Sequence, residues 1–332
     1  MRDRLCTVQE VTALIQAGRP LLLAGDETLL RRLPAGRWIA GTIPYFVEPE
    51  GGLADRDRIF VNELLPGLEV RAVRRYDAAG LSRVYTDLAP GCFGVLIAPA
   101  GSAVHLAFAL EAPNAPGFAL RPLVGWIAGV HLSEVGRRPA LAFDGTAPAA
   151  LADEAVLMEV ATPPGKVAQV GIFNLFRPGT GPTVTFPESG FKAREVLVDG
   201  VRRNLARFLF ETGADTRLPL VADYCGTAIN VSFQSVDAMT GEVAFYAPVF
   251  AGLEYRLAAP VDDYLAEFVR GLPRGLEGKL AFACNCILNY LFAGMEGRRT
   301  GSVACPITFG EIAYQLLNQT MAFVTIEDAG DR

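Results

Sequence analysis

Two cysteines and one glutamate near the C-terminus have the types and spacing that could carry chemistry. Cys284 and Cys286 stand at the end of an apolar run, and Glu311 directly follows a glycine. A second apolar run covers residues 320–326, and the alternation within both runs predicts strands. Small residues beside a few polar groups at neighbouring strand ends are typical of a small-ligand pocket. The alternative is a packed half-sheet without a ligand.

Glu311 is the first candidate for contact with a ligand. The preceding glycine, Gly310, lets the backbone approach a bound molecule, and the carboxylate can receive an ammonium group. A different interpretation places Glu311 in the first turn of a helix over residues 312–317, where the helix dipole favours an acid. The predicted ligand-binding residues are Glu311, Gly310, Cys284, Asn230 and Thr308.

A polar row is expected on the strand predicted for residues 229–236. Asn230, Ser232 and Gln234 alternate there with apolar residues, so that one face of the strand is apolar and the other polar. Such a row lines a cavity or faces solvent, and both interpretations stay open at this point.

The cysteines predict neither a metal site nor an activated nucleophile. Cys284, Cys286 and Cys305 give the spacing C-x-C-x18-C, with Cys225 as a conceivable fourth ligand, whereas zinc sites normally show a C-x2–4-C pair. A nucleophilic thiol needs a base, and the chain has 2 histidines. No G-x-S-x-G elbow, P-loop or G-x-G-x-x-G motif is present. We therefore predict no catalytic residue, no metal and no cofactor, with a cysteine-dependent small-molecule enzyme as the competing hypothesis.

Residues 192–326 resemble the C-terminal half of the FIST family, the F-box and intracellular signal transduction sensory domains, and the N-terminal half resembles it only faintly. The matching pieces are Phe282-Ala283-Cys284, Phe309-Gly310-Glu311-Ile312, Asn318-Gln319-Thr320, Val198-Asp199-Gly200-Val201 and Tyr246-Ala247-Pro248-Val249. The resemblance implies a bacterial sensory protein that binds a small ligand such as an amino acid, without a catalytic mechanism. An arginine that is common in the family after the strand cysteine is replaced here by Ile287-Leu288-Asn289-Tyr290, which disfavours anionic ligands.

Strands and short helices alternate along the chain, which predicts an α/β fold of the layered α+β kind. Residues 7–18 are expected to form a helix capped by Thr7 with Glu10 three residues later, and Asp26 is expected to cap a second helix. Residues 48–58 are interpreted as a polar flap. In the second half, a helix is predicted over residues 201–211 and another over 261–270. The strands around them predict a mostly antiparallel sheet with flanking helices.

At 332 residues the chain is long enough for two sheet-containing halves. We place the FIST N-like half at residues 1–185 and the FIST C-like half at 186–332. The Pro- and Gly-rich stretch 176–190 is interpreted as the link between them.

The composition excludes several classes of partner. With 51% hydrophobic residues, 20% charged residues and a net charge of -6, the chain is typical of globular proteins and has no general attraction to nucleic acid or anionic lipid. Neither a signal peptide nor a membrane span is recognised, which predicts a cytoplasmic location. We expect a small-molecule sensing protein without a fused output domain, acting through a signalling partner or a homo-oligomer. A scaffold without a ligand is the remaining alternative.

Overall fold

Strands outnumber helices in the computed structural model, which describes residues 3–224, 226–301 and 303–330. Within these ranges the α-helices are α1 (Val8–Gln16), α2 (Glu27–Leu30), α3 (Ala103–Glu111), α4 (Leu205–Thr212), α5 (Tyr264–Gly271) and α6 (Ile287–Phe292). Short 3-10 helices cover Gly80–Arg83, Ala112–Asn114 and Leu132–Glu134. No helix of the described ranges is both long and apolar enough to cross a membrane.

The strands are short and follow one another closely. Those of the first half are β1 (Asp3–Cys6), β2 (Leu21–Gly25), β3 (Trp38–Thr42), β4 (Tyr45–Glu48), β5 (Gly51–Ala54), β6 (Ile59–Glu63), β7 (Glu69–Tyr76), β8 (Cys92–Pro99), β9 (Leu123–Ala128), β10 (Ala142–Asp144), β11 (Ala149–Leu151), β12 (Ala155–Ala161) and β13 (Lys166–Phe173). Those that follow are β14 (Val184–Thr185), β15 (Gly190–Ala193), β16 (Glu195–Val198), β17 (Val201–Asn204), β18 (Leu220–Tyr224), β19 (Thr227–Val231), β20 (Phe233–Val236), β21 (Val243–Val249), β22 (Glu254–Leu257), β23 (Leu280–Cys286), β24 (Cys305–Thr308), β25 (Glu311–Ala313), β26 (Gln315–Leu317) and β27 (Met321–Asp328).

These strands form five sheets within the described residues. Their strand orders are β1-β6-β2-β3-β10-β11, β26-β25-β9-β8-β12-β7, β13-β27-β23-β24-β4-β5, β17-β16-β14-β22-β18-β19 and β15-β21-β20. Pairing is parallel between β2 and β3, β8 and β9, and β23 and β24, and antiparallel in the other pairs. The predicted α+β class, with a mostly antiparallel C-terminal half, is confirmed.

Two sheets contain strands from both sides of position 185. In one, β25 pairs with β9; in the other, β27 pairs with β13 and β24 pairs with β4. The predicted link between the halves is itself partly ordered by packing, since Phe176 is buried and β14 belongs to a sheet. The division into domains at 1–185 and 186–332 stays a prediction.

The capping residues recognised in the sequence predicted helix ends that the structure contains. The Thr7 side chain accepts from the backbone of Glu10, and the Glu10 side chain accepts from the backbone of Thr7, so both halves of the capping box are present. Asp26 caps α2 through the backbone N–H of Thr28 at 3.0 Å. Gly213 ends α4 in the left-handed conformation, at φ 62°.

The flap predicted for residues 48–58 is wrong, because its first part belongs to the β4–β5 hairpin. A segment distant in sequence packs on this hairpin. The N–H of Gly52 donates to the carbonyl of Met295, and the N–H of Gly297 donates back to the carbonyl of Gly52. A Cβ at Gly51 would lie 2.8 Å from the carbonyl oxygen of Arg298. Glycine at these positions therefore lets the two backbone segments pack closely against each other.

The helix predicted for residues 201–211 begins four residues late. Val201–Asn204 forms β17 and pairs with β16 across the Asp199-Gly200 turn. Asn204 then caps α4, since its Oδ1 accepts from the N–H of Arg207 at 3.0 Å. Asparagine is a favoured N-cap residue, and Asn204 therefore marks the start of the helix within a longer stretch of helical periodicity.

The helix considered for residues 312–317 does not form. Glu311 pairs with Leu317 in the antiparallel hairpin β25–β26, and Tyr314 makes the turn at φ 62°. The Tyr314 N–H donates to the carbonyl of Leu123, and the Tyr85 hydroxyl donates to the carbonyl of Tyr314. Contacts with the first half therefore hold this turn, and Glu311 is not a helix-start acid.

Candidate functional site

An apolar cavity of about 580 Å³ lies where α3, α6 and the sheet of β15, β20 and β21 meet. Its apolar lining includes Leu106, Leu132, Val135, Phe191, Phe245, Ile287, Leu288, Leu291 and Phe309. Its polar lining includes Arg138, Lys192, Gln234, Tyr246, His105, Cys286 and Asn318. The cavity thus combines residues from both sides of position 185, and its size is that of a small-molecule site.

His105, which lines this cavity, holds a buried donor without a hydrogen-bond partner. The Ser102 side chain caps α3 by accepting from the N–H of His105. The ring Nδ1 accepts from the N–H of Gly101 at 3.1 Å, so the proton of the neutral ring lies on Nε2. That Nε2 has no partner within the described residues, although the side chain is only 8% exposed. Burial lowers the pKa of His105 to about 4, so the ring is neutral at pH 7.

Asn318 presents a second donor without a partner. Its Oδ1 accepts from the N–H of Ser232 at 3.0 Å and from the Ser232 hydroxyl at 2.5 Å. Since a backbone N–H can only donate, this contact identifies the oxygen of the amide and leaves Nδ2 as the other atom. Nδ2 has no partner among the described residues, and the residue is 2% exposed.

Both orphan atoms are neutral donors on residues that line one apolar cavity. A buried polar group without a partner costs about 1–3 kcal/mol, and such groups are uncommon in folded proteins. Neither atom is accessible to solvent, so other atoms of His105 and Asn318 form the surface of the cavity.

The charged residues of the cavity are already paired. Arg138 contacts Glu27 at 2.9 Å and Glu134 at 3.3 Å. Lys192 contacts Glu242 at 2.7 Å. No Asp or Glu is among the described lining residues. The described lining of the cavity therefore carries no unpaired charge of either sign.

Exposed apolar side chains form part of the lining of the cavity. Of nine large hydrophobic side chains that are exposed in the described residues, five belong to its lining: Leu106, Leu132, Val135, Tyr246 and Leu291. Contiguous exposed apolar surface marks a binding site more often than scattered residues do. The apolar character of the cavity therefore continues to the protein surface.

Glu311 lies behind the cavity in a different environment. Its Oε2 accepts from the Thr320 N–H at 3.2 Å and from the Thr320 hydroxyl at 2.8 Å, and the Cys286 thiol donates to the same carboxyl group. Glu311 is fully buried, and burial raises its pKa to about 8. The carboxyl group is therefore neutral at pH 7.

The surroundings of Thr308 support a proton on Glu311. The Thr308 hydroxyl lies 3.3 Å from the carbonyl of Asn285, 3.1 Å from that of Gly310 and 3.3 Å from Glu311 Oε1. One hydroxyl proton cannot serve three acceptors. If Glu311 Oε1 carries a proton, it donates to Thr308, and the Thr308 hydroxyl donates to a carbonyl.

The sequence profile of a protein family of unknown function, DUF6976, matches residues 6–327. The chain belongs to this family. Comparisons with curated proteins and with solved structures found no match. The match covers both predicted halves of the DUF6976 chain, and the resemblance of residues 192–326 to FIST stays a prediction.

The five ligand-binding residues predicted from the sequence lie in the core of this DUF6976 protein, and none of them lines the cavity. Thr308, Gly310 and Glu311 come together as described above. The Cys284 thiol donates to the carbonyl of Gly125 at 3.2 Å. Asn230 is buried, so the polar row does not face solvent there. Direct contact of these residues with a ligand stays a prediction.

Asn230 belongs to the same polar core as Asn318. Its amide exchanges hydrogen bonds with Asn174 at 2.9 and 3.0 Å and donates to the carbonyls of Asn318 and Gln319. Only Gln234 of the predicted polar row lines the cavity. Asn230 therefore positions the segment that carries Asn318.

Sequence reasoning did not select His105 or Asn318. His105 stands in an apolar helix, where a buried histidine is the ordinary expectation. Asn318 stands in the Asn318-Gln319-Thr320 stretch that was noted for its resemblance to FIST. No local signal shows that both residues reach the same cavity, because more than two hundred positions separate them.

The thiols that the structure describes have raised pKa values. Burial raises the pKa of Cys284 and that of Cys286 well above the ordinary value, and the Glu311 carboxylate raises both further. Burial alone lowers the pKa of His105, so no thiolate is paired with it. Among the described residues, no three His, Cys, Asp or Glu side chains form a metal-binding group; Cys225 lies outside these residues.

A second depression, of about 650 Å³, lies beside α5 and lacks orphan polar groups on its described residues. Asp215 pairs with Arg217 at 2.7 Å, and Asp263 caps α5 through the N–H of Ala266. The Tyr264 hydroxyl donates to Asn289 Oδ1 at 2.6 Å. Asp215, Asp263 and Tyr264 are thus engaged by other residues of the protein, and the lining of the depression is less apolar than that of the first cavity.

Proposed function

We propose that this DUF6976 protein binds a small apolar molecule in the cavity of His105 and Asn318 and acts as a sensory protein in the cytoplasm. The observation that supports this proposal is the apolar cavity of about 580 Å³, whose lining includes exposed apolar side chains such as Leu106 and Leu291. Contiguous exposed apolar surface of this kind marks a binding site.

Binding is favoured over catalysis by the state of the reactive groups. An enzyme with a cysteine nucleophile requires a thiolate near neutral pH, whereas the pKa of the Cys286 thiol is raised well above its ordinary value. The pKa of Glu311 suits proton transfer near pH 8, but its carboxyl group is fully buried and engaged by Thr308 and Thr320.

The sensory role follows from the FIST resemblance of residues 192–326. A ligand in the cavity would contact α3 and α6 together, so occupancy can change how the two predicted halves pack. The signal would then pass to a signalling partner or to a second copy of the chain. An amino-acid ligand is less suitable, because its ammonium group would meet no carboxylate in the described lining.

Titration with the uncharged fluorescent probe N-phenyl-1-naphthylamine tests the proposal. We expect saturable binding with an increase in fluorescence, because the probe brightens in apolar surroundings. Leu106→Trp should abolish this binding, since Leu106 lines the cavity and is 42% exposed, so that folding tolerates a larger side chain that fills the cavity.

Phe210→Trp is the matched control. Phe210 is an exposed apolar residue of α4 and does not line the cavity, so the variant should bind the probe like the unmodified protein. A chain that binds no probe, or that binds it equally well with Leu106→Trp, would contradict the proposed function.

A further inference from the structure

We infer that Tyr246 and Gln234 bind an uncharged polar group, an amide or a hydroxyl, on the apolar molecule that occupies the cavity. The inference rests on the proposed function and adds the chemical class of the ligand and the residues that recognise it. It depends on three features of the cavity: the sheet face that carries both side chains, their lack of hydrogen-bond partners among the described residues, and the balance of charge in the lining.

Strand pairing turns both side chains away from the main hydrophobic core. Phe233 of β20 lies opposite Phe245 of β21, and both phenylalanines are buried in that core. Neighbouring residues of a strand point to opposite faces, so Tyr246 lies on the outer face of the sheet. The register shifts between Phe233 and Ser235, so Gln234 belongs to a β-bulge. Gln234 and Tyr246 are both exposed, and both line the cavity.

The Tyr246 hydroxyl lies toward the wall of the cavity that carries Cys286. Burial raises the pKa of Tyr246, and the neighbouring Cys286 thiol raises it further. An interaction between two charges weakens with distance, so the hydroxyl end of Tyr246 lies within range of the sulfur atom. Cys286 itself lines the cavity, and Tyr246 is 37% exposed. A molecule in the cavity can therefore contact this side chain.

The side chains of Gln234 and Tyr246 make no hydrogen bond to another described residue. The other polar side chains of the described lining are either paired with glutamates or buried: Arg138, Lys192, His105, Cys286 and Asn318. Gln234 and Tyr246 are therefore the polar side chains of this lining that are both exposed and free to bind a ligand.

These two free groups define what the ligand supplies. The Gln234 amide has one acceptor oxygen and two N–H donors, and the Tyr246 hydroxyl both donates and accepts. A wholly apolar molecule that covered them would remove their water and leave their polar atoms without hydrogen bonds, which costs free energy. An amide or a hydroxyl group on the ligand both donates and accepts, so it replaces the lost hydrogen bonds.

The charges of the cavity favour an uncharged group over an ion. Arg138 and Lys192 are the charged residues of the described lining, and both are paired with glutamates. A carboxylate in the cavity would therefore lose its hydration without gaining an unpaired positive charge. A cation would meet no carboxylate of the described lining. The polar group of the ligand is therefore neutral, and the rest of the molecule is apolar like the lining.

Displacement of N-phenyl-1-naphthylamine by three probes of nearly the same shape tests the charge of this group. Phenylacetamide, phenylacetate and phenylacetamidinium share a benzyl group and a planar polar end, and at pH 7 they are neutral, negative and positive. We expect phenylacetamide to displace the fluorescent probe at a concentration about tenfold or more below that of either ion, since an uncompensated charge weakens binding by at least this factor.

Tyr246→Phe and Gln234→Met test the two residues. Tyr246→Phe removes only the hydroxyl group, and Gln234→Met keeps the length of the side chain without its amide. Each variant should weaken binding of phenylacetamide about three- to tenfold, because one neutral hydrogen bond contributes a factor of this size. Isobutylbenzene, which resembles phenylacetamide in shape but has no polar atom, should bind both variants at least as tightly as it binds the unmodified protein.

Tyr224→Phe is the matched control. Tyr224 ends β18 and does not line the cavity, so this variant should bind phenylacetamide like the unmodified protein. A loss with Tyr224→Phe equal to that with Tyr246→Phe would overturn the role of Tyr246.

The outcomes distinguish the inference from the proposed function. If phenylacetate or phenylacetamidinium displaces the fluorescent probe at least as well as phenylacetamide, the ligand class is wrong while binding in the cavity stands. Unchanged affinity for phenylacetamide in either variant, or an equal loss for isobutylbenzene, would show that Tyr246 and Gln234 do not bind the polar group. The comparison of charges uses the unmodified protein, so it decides the ligand class even if a variant fails to fold. Absence of fluorescent-probe binding would overturn both proposals.

Discussion

The Glu311 cluster and the cavity are neighbouring regions that differ in whether their buried polar groups have hydrogen-bond partners. Glu311, Thr308 and Thr320 are buried and hydrogen-bonded to one another. His105 and Asn318 are also buried, yet each retains a donor without a partner. The difference shows that burial alone does not decide whether a polar group has a hydrogen-bond partner.

Cys286 belongs to both regions. It donates its thiol to Glu311 and also lines the cavity. The satisfied cluster therefore supports one wall of the cavity. Substitutions in the cluster should affect stability first, and substitutions at the cavity should affect binding first.

The largest effect is expected from Glu311→Leu. The substitution removes the acceptor of the Thr320 N–H and hydroxyl while leaving both buried, which should lower the free energy of unfolding by about 3 kcal/mol or more. Urea denaturation measures this change. His105→Asn is the contrasting variant and should change stability far less. A loss below about 1 kcal/mol with Glu311→Leu would contradict the structural role of the cluster.

A second effect concerns pH. The pKa of Glu311 rises from 4.5 in the unfolded chain to about 8 in the folded protein. Between these values the folded state holds a proton that the unfolded state has lost, so this group's contribution to stability is complete below about pH 4.5 and declines as the pH rises to about 8.

Glu311→Gln isolates this contribution. Glutamine imitates the neutral acid, since its amide nitrogen can donate to Thr308 and its oxygen can accept from Thr320. The variant should match the unmodified protein in urea denaturation near pH 5 and exceed it in stability above pH 8. A variant that is less stable at every pH would show that the buried group is an ionised carboxylate.

The smallest effect is expected from Tyr264→Phe. The Tyr264 hydroxyl donates to Asn289 and accepts from Gln319 at the second depression. Its removal should cost about 1 kcal/mol in urea denaturation and leave binding of N-phenyl-1-naphthylamine unchanged. Weaker probe binding at constant stability would place the ligand in the second depression. The cavity lined by His105 and Asn318 would then not be the binding site.

Much of the local structure could be predicted from the sequence. Thr7 with Glu10, Asp26 and Gly213 marked helix ends correctly, because their side chains or dihedral angles act on backbone groups a few positions away. The α+β class followed from the alternation of short strands and helices. Failures occurred where a distant segment decided the conformation, as at Gly51 and Tyr314.

The candidate site was predicted only in part. The sequence by itself determined which residues are polar within apolar stretches, and so it drew attention to Asn230, while Glu311 was singled out by the preceding glycine and the segment of Asn318 by its resemblance to FIST. Tertiary structure decided which of these polar atoms find partners, since hydrogen bonds such as those of Thr320 with Glu311 and Ser232 with Asn318 join separate strands and loops. An unpartnered donor is defined by all the segments around it, and no local pattern contains that information.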